Sequence, residues 1–454
     1  MKKLYTFTDT LTKIHHTIYQ LDNGIKILHA KNPSSIEYVL TVIVKAGSVF
    51  ENINNVPYGT AHFLEHIVTG NPNKLLKSKF DIDEFESGTK EDPEIYSNAF
   101  TTTKYIHFYS YGNEEGLKRI NQRIESIIDY PLKNIPKYIE KERKVILAEQ
   151  SHMNKEKFDR NLQFSNFVYN NQENGFTHPL IGRKEDIQNI TSENIESFFK
   201  NQFVAENTII TIQNGRDLTQ SEMKEIEKIG EIFQPRKTED NFKDPDIVRK
   251  KRIYHFSDNQ VEGVSLSILF PQKYTKKLDY KKEVLEFLFR SLMQKISHDY
   301  LREKLGLIYS SNVFNIAHLN FKERLIGYEI TMQSRNFSKT VNGLNEIIEE
   351  KLEHFLKSKE GKVWFESIIS GYIFPRNVPY KADYAERKGL ALIEDEEVFE
   401  LDKAVNSALS ITIKDILEYS KSFFDTTPLF WIESDREDDR YIKMLKKSSL
   451  YNRF

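Results

Sequence analysis

Two segments half a chain apart are written to one plan. NITSENIESFFKNQF (Asn189 to Phe203) lines up with SITIKDILEYSKSFF (Ser410 to Phe424), and each leads into a strand-like run. The offset is 221 residues in a chain of 454, the spacing a duplicated domain produces. Other elements repeat in order. EYVLTVIVKAGS (Glu37 to Ser48) predicts a buried strand bounded by Gly47, and GVSLSILFPQ (Gly263 to Gln272) answers it. TTTKYIHFYSYG and NEEGLKRINQRIESIIDYPL predict a strand and then a helix, echoed by IGYEITMQSRNFSKTVNGLNEIIEEKLEHFL after the long helix KKEVLEFLFRSLMQKISHDYLREKLG. One core does not usually support a chain of this length. The expectation is an α+β fold of two similar domains, residues 1–233 and 253–454, joined by the charged, proline-containing stretch 234–252.

Composition narrows the chemistry. The absence of cysteine removes disulfides, thiolate metal sites and cysteine nucleophiles together and fits a reducing compartment, so a cytoplasmic location is expected. Lys and Arg (65) nearly cancel Asp and Glu (67), so no field for nucleic acid is built. No apolar run approaches the roughly 20 residues that span a bilayer, which argues against membrane insertion. The N-terminal MKKLYTFTDTLTKIHHTIYQ has neither an apolar stretch nor a small-residue cleavage site, so it does not read as a signal peptide. There is no glycine-rich phosphate loop, and ATP use is not expected. Any metal must be held by histidine and carboxylate.

GTAHFLEHIVTG (Gly59 to Gly70) meets that requirement. On a helix, positions i and i+4 share a face, so His62 and His66 can present two imidazoles to one ion, with Glu65 bordering that face. Phe63, Leu64 and Ile67 can anchor the helix in a core. This is the zincin motif in reversed order, where two His bind zinc and the Glu takes a proton from the attacking water. An ordinary amphipathic helix that happens to hold two histidines is the bland alternative. A catalytic zinc wants three protein ligands and an open fourth position. YIEKERKVILAEQSHM supplies the third: Glu142 and Glu149 stand two turns apart on one face, and Val145, Ile146 and Ala148 could turn the helix inward. A carboxylate at an apolar edge is costly unless paired or bound. Glu149 is the expected third ligand, and Glu142 the carboxylate that orients an imidazole.

These residues resemble the pitrilysin or insulinase family of zinc endopeptidases. KAGSVFE, GTAHFLEH, SNAFTT (Ser97 to Thr102), ERKVILAEQ (Glu142 to Gln150), HPLIGRKEDIQNIT and, in the second half, LREKLGLIYS (Leu301 to Ser310) follow the family's order. The resemblance implies two homologous domains of the LuxS and processing-peptidase type, each a mostly antiparallel sheet packed with helices. It implies one Zn2+ per chain held by His62, His66 and Glu149, with Glu65 the general base that activates zinc-bound water and Glu142 in support. Asn98 and Ala99 would line substrate backbone, and Arg302 and Tyr309 would donate to the substrate carbonyl or oxyanion, with Gly306 in the turn between them. The 82 residues between His66 and Glu149 exceed the family's usual spacing, which places an insertion in the polar stretch 89–97.

The family's active form encloses peptides or unfolded segments in a four-domain clamshell. Because this chain carries both the metal motif and the Arg and Tyr segment, a homodimer is expected, in which that pair completes the site of the opposite subunit. The alternatives are a non-catalytic partner subunit of the same fold, or an enzyme active only in a heteromer. An S-ribosylhomocysteine lyase needs a cysteine, and none is present. His15, His16, His152 and His178 read as surface or loop residues.

Overall fold

The computed structural model describes every residue except 153–154, 173, 236–242, 249, 251, 258–260, 274–275, 317–321, 374–383, 395 and 436–438. The chain forms two compact units. Met1–Phe158, Glu173–Lys243 and Val378–Leu401 make the first; Asp159–Gln172, Asp244–Asn377 and Asp402–Phe454 make the second. The units change over between Lys243 and Asp244, inside the stretch expected as a linker, part of which lies outside the described residues. They also trade two segments that a single cut at 234–252 does not anticipate.

The first unit holds seven strands: β1 Lys2–Thr8, β2 His15–Gln20, β3 Lys26–Lys31, β4 Glu37–Val44, β5 Ile95–Thr101, β6 Ile106–Asn113 and β7 Thr208–Asn214, in the order β1-β2-β3-β7-β4-β6-β5. The second holds β8 Arg252–Ser257, β9 Val264–Lys273, β10 Ile308–Ile316, β11 Glu323–Met332 and β12 Leu429–Ser434, in the order β10-β11-β9-β12-β8. Without β1 and β2 the first sheet reads β5-β6-β4-β7-β3, the second sheet strand for strand. Each has a single parallel pair at the same place, β3 with β7 and β8 with β12. The helices Ser192–Gln202 and Ile413–Phe424 lead into β7 and β12 from equivalent caps. Thr191 accepts the Asn194 N–H and Thr412 the Asp415 N–H, each satisfying an amide that the first helical turn leaves free.

The segment Thr101 to Gly112, expected as one strand, is the end of β5, a turn in which the Thr102 hydroxyl accepts the Tyr105 N–H, and most of β6. The strands β1 to β3 were not expected from the sequence; β1 is exposed along most of its length, while His16 of β2, read as a surface or loop residue, is fully buried.

In the first unit the sheet is covered on both faces. Ile210 of β7 lies against Gly230 of the helix Gln220–Glu231, while its neighbours Ile209 and Thr211, pointing the other way, lie against Gly389. Gly389 belongs to Tyr384–Ile393, a helix from the far end of the chain that straps the second face. A Cβ on Gly389 would stand 2.3 Å from Thr211 Cγ2, so only glycine permits this approach. Polar contacts tie the strap down: Glu386 to His107 at 2.8 Å and Lys388 to Asp9 at 3.2 Å. Cover on both faces explains why β7 is buried at every position and β4 at every position after its first.

Candidate metal centre

The motif helix, Thr60–Gly70, starts after Gly59, whose φ of 91° lies in the left-handed region. Its first amides are held by Glu51: the Gly59 N–H donates to Oε2 at 3.0 Å and the Ala61 N–H to Oε1 at 2.7 Å. Glu51 is fully buried, and burial pushes its acid well above the usual carboxylate range although both amide bonds pull the other way. Ala61, Phe63, Leu64, Ile67 and Val68 are buried and fix the helix's orientation, the large ones at roughly 1.5–3 kcal/mol each. His62, Glu65 and His66 are left on the remaining face.

The carboxylate helix, Ile135–His152, buries a stripe of Ile135, Ile139, Glu142 and Ile146. These positions follow helical spacing, so Glu142 stands inside an apolar row. Val145 and Ala148, expected to turn inward, fall off that row and are exposed. Glu149, one turn beyond Ile146, emerges at the rim with its side chain 47% exposed.

The two helices bring His62, His66 and Glu149 together, with one possible ligand atom from each within 4.8 Å of the others. Glu149 Oε2 lies 3.4 Å from His66 Nε2 and 3.8 Å from His62 Nε2. Ligands about 2.0–2.2 Å from a tetrahedral zinc stand roughly 3.3–3.6 Å apart, and both separations from Glu149 to the imidazoles lie within a few tenths of an ångström of that spacing. Two imidazoles and a carboxylate are also donors that zinc accepts. Burial, reinforced by the adjacent His66, lowers the His62 pKa to about 3, which keeps its ring neutral and its lone pair available. His66 behaves otherwise. Burial works to lower it, but Glu142, Glu65 and Glu149 together raise it.

Supporting contacts radiate from these ligands. Glu142 Oε2 lies 3.5 Å from His66 Nδ1, and its other oxygen takes Lys141 Nζ at 2.9 Å. Lys141 also donates to Asn71 Oδ1, and the buried Asn71 amide donates to the carbonyls of His66 and Ile67. Burial would raise Glu142, yet its bonds to His66, Lys141 and Asn71 bring it below the usual carboxylate range. The general-base candidate Glu65 is 9% exposed and accepts the Thr101 hydroxyl on Oε2 at 2.6 Å. Burial raises its pKa, and the Thr101 bond is the largest opposing influence. Thr101 ends β5, the edge strand of the sheet, two residues after Ala99 on the same strand face. Asn98 is exposed, and its Oδ1 accepts the Ala99 N–H at 2.8 Å. Within the stretch 89–97, Thr89 closes a turn with Asp92, and β5 begins at Ile95.

Arg302 and Tyr309 belong to the second unit. Arg302 lies in a π-helical stretch, Ser297–Lys304, which is followed after Leu305 by Gly306 with φ 61°, and Tyr309 lies in β10 with 52% exposure. Thr101, Asn71 and the cap made by Glu51 were not singled out from the sequence. Glu51 and Thr101 do lie in quoted motifs, but their partners are 8 to 36 residues away.

Two helices presenting a His, His, Glu set beside a buried carboxylate, on a duplicated α+β fold, form a candidate metal site. The insulinase (peptidase family M16) model matches residues 26–178, and the peptidase M16 inactive-domain model matches residues 189–360. The chain belongs to the M16 family. It is 26% identical over 312 residues to an uncharacterized zinc protease of Rickettsia bellii, covering 68% of this chain and 72% of that one. Over 200 residues it is 26% identical to the β subunit of the mitochondrial-processing peptidase of Blastocladiella emersonii, covering 42% and 39%. The first half of the periplasmic protease PqqL from Escherichia coli shares the fold with a TM-score of 0.76 at 13% identity, covering 97% of this chain and 95% of that one. Pitrilysin does so at 0.74 and 17%, covering 96% of this chain and 47% of pitrilysin.

Proposed function

We propose that this chain is a zinc-dependent endopeptidase acting on peptides or unfolded segments. The observation that carries the reading is the convergence of His62, His66 and Glu149 with Glu65 buried among them. Zinc, when bound, supplies a Lewis acid that lowers the pKa of a water and polarises a carbonyl oxygen. His62, His66 and Glu149 would hold it. Glu65 takes the proton of the attacking water and returns it to the leaving amine nitrogen. A carboxylate raised by burial suits a group that must both accept and give back a proton. β5 ends its sheet, so an extended peptide can add beside it as a further strand, along the stretch containing Asn98 and Ala99. By family resemblance Arg302 and Tyr309 stabilise the oxyanion, and in the proposed homodimer they serve the opposite subunit. A cytoplasmic location is proposed on the cysteine-free composition alone.

A second reading is activity only within a heteromer. One relative is named as a subunit of a processing peptidase, and this favours it. The test is cleavage of a quenched-fluorescent peptide library by the purified chain beside Glu65→Gln. Cleavage by wild type and not by a variant that still holds stoichiometric zinc is expected. If neither cuts while both hold zinc, self-sufficient catalysis is wrong, and a heteromeric or non-catalytic role replaces it.

A further inference from the structure

Glu149 presents a puzzle of placement. Ala148 and Glu149 are both exposed, and the last buried apolar residue of the helix is Ile146, three residues before Glu149. A further tie is made by the residue after Glu149. Gln150 Nε2 donates to the Gly182 carbonyl at 2.8 Å.

Gly182 leads directly back to the motif helix. Its φ is 81°, that of Gly59 is 91°, and the two backbones cross in contact. A Cβ on Gly59 would stand 2.4 Å from the Ile181 carbonyl oxygen, and one on Gly182 2.4 Å from the Tyr58 carbonyl oxygen. On the far side of that crossing Glu51 grips the amides of Gly59 and Ala61, the residue before His62. A short relay of main chain and hydrogen bonds therefore runs from Glu149 through Gln150, Gly182, Gly59 and Ala61 to His62. It contains no long unsupported side chain. At the other end of the motif helix, Asn71, Lys141 and Glu142 make the corresponding tie to the carboxylate helix.

We propose that Gln150 and Glu51 are positioning residues of the metal centre, which set the separation of the Glu149 carboxylate from the His62 imidazole by clamping both helices to the Gly59–Gly182 crossing. The inference rests on the zinc reading of His62, His66 and Glu149. Neither residue touches the ion. Each acts through main chain one residue from a ligand, or in the case of Glu51 also through the glycine that starts the ligand helix.

The test uses Gln150→Met, which keeps the length of the side chain and removes the donor. Three quantities are measured on the full chain: the melting temperature without metal, the zinc affinity by competition with a chromophoric chelator, and the visible absorption of the Co2+-substituted protein. The expected result is a zinc affinity lower by about tenfold, the scale on which groups behind the ligands act, with an altered Co2+ spectrum and a nearly unchanged metal-free melting temperature. Glu51→Gln, which sets an amide donor against two N–H donors, is expected to move affinity and spectrum in the same direction. If that buried variant fails to fold, Gln150→Met still decides the matter. A Gln150→Met protein with wild-type zinc affinity and Co2+ spectrum overturns the positioning role, whether or not its melting temperature falls. A wild-type chain that binds no zinc overturns the metal site itself and this inference with it.

Discussion

Replacing Glu142 by glutamine separates charge from shape at the contact that orients His66. Glu142 is 4% exposed within the apolar row Ile135, Ile139 and Ile146, so an amide of the same outline stays in place. What is lost is the negative charge shared between His66 Nδ1 at 3.5 Å and Lys141 Nζ at 2.9 Å. Removing a partner that orients a ligand histidine lowers metal affinity by about 10- to 100-fold, or roughly 1.4–2.7 kcal/mol. The His66 contact is long for a charge-assisted bond, which favours the lower end, about tenfold. Proton competition works in the opposite sense. Glu142 helps to raise His66, and a protonated imidazole cannot bind zinc, so the substitution relieves that competition at acid pH. Chelator competition should show the larger loss at pH 8, where proton competition is weaker, and a smaller one at pH 6. Equal affinities at pH 8 would refute the idea that Glu142 orients His66.

Two further outcomes follow from the buried carboxylates. Thr101→Val removes the hydroxyl on Glu65 with little change of volume; kcat/KM at neutral pH should fall about tenfold or more with zinc content unchanged, because hydrogen bonds to charged groups contribute roughly 1.5–3 kcal/mol. The bond opposes the burial that raises Glu65, so the acid limb of the pH profile should also move to higher pH, and an unmoved limb with unchanged rate would count against Glu65 as the base. Glu51 binds its proton more tightly folded than unfolded, so its contribution is present below the unfolded carboxylate range and is lost as pH rises through the folded value. Urea melts of the metal-free protein from pH 5 upward should show a less negative slope of stability with pH for Glu51→Gln, by up to about 1.4 kcal/mol per pH unit; identical slopes would mean that Glu51 does not titrate in the fold.

Local pattern was enough to pick out the three residues that meet at the candidate metal centre. His62, Glu65 and His66 share a helical face by spacing alone, and the carboxylate helix was legible because Glu142 and Glu149 stand two turns apart on one face. The duplication was legible too. Thr191 and Thr412, with their partners Asn194 and Asp415, cap equivalent helices at the same offset because capping is decided within one helical turn. Val145 and Ala148 were misread as inward because periodicity gives a face and not its direction. Non-local contacts decided the rest. The strap helix Tyr384–Ile393 lies on β7, Thr101 comes from β5 to hold Glu65, and Gln150 reaches Gly182 across 32 residues. No helical or strand period encodes such pairings. Each depends on two segments meeting, and a buried donor or a missing Cβ acquires its meaning only when the opposing backbone is in place.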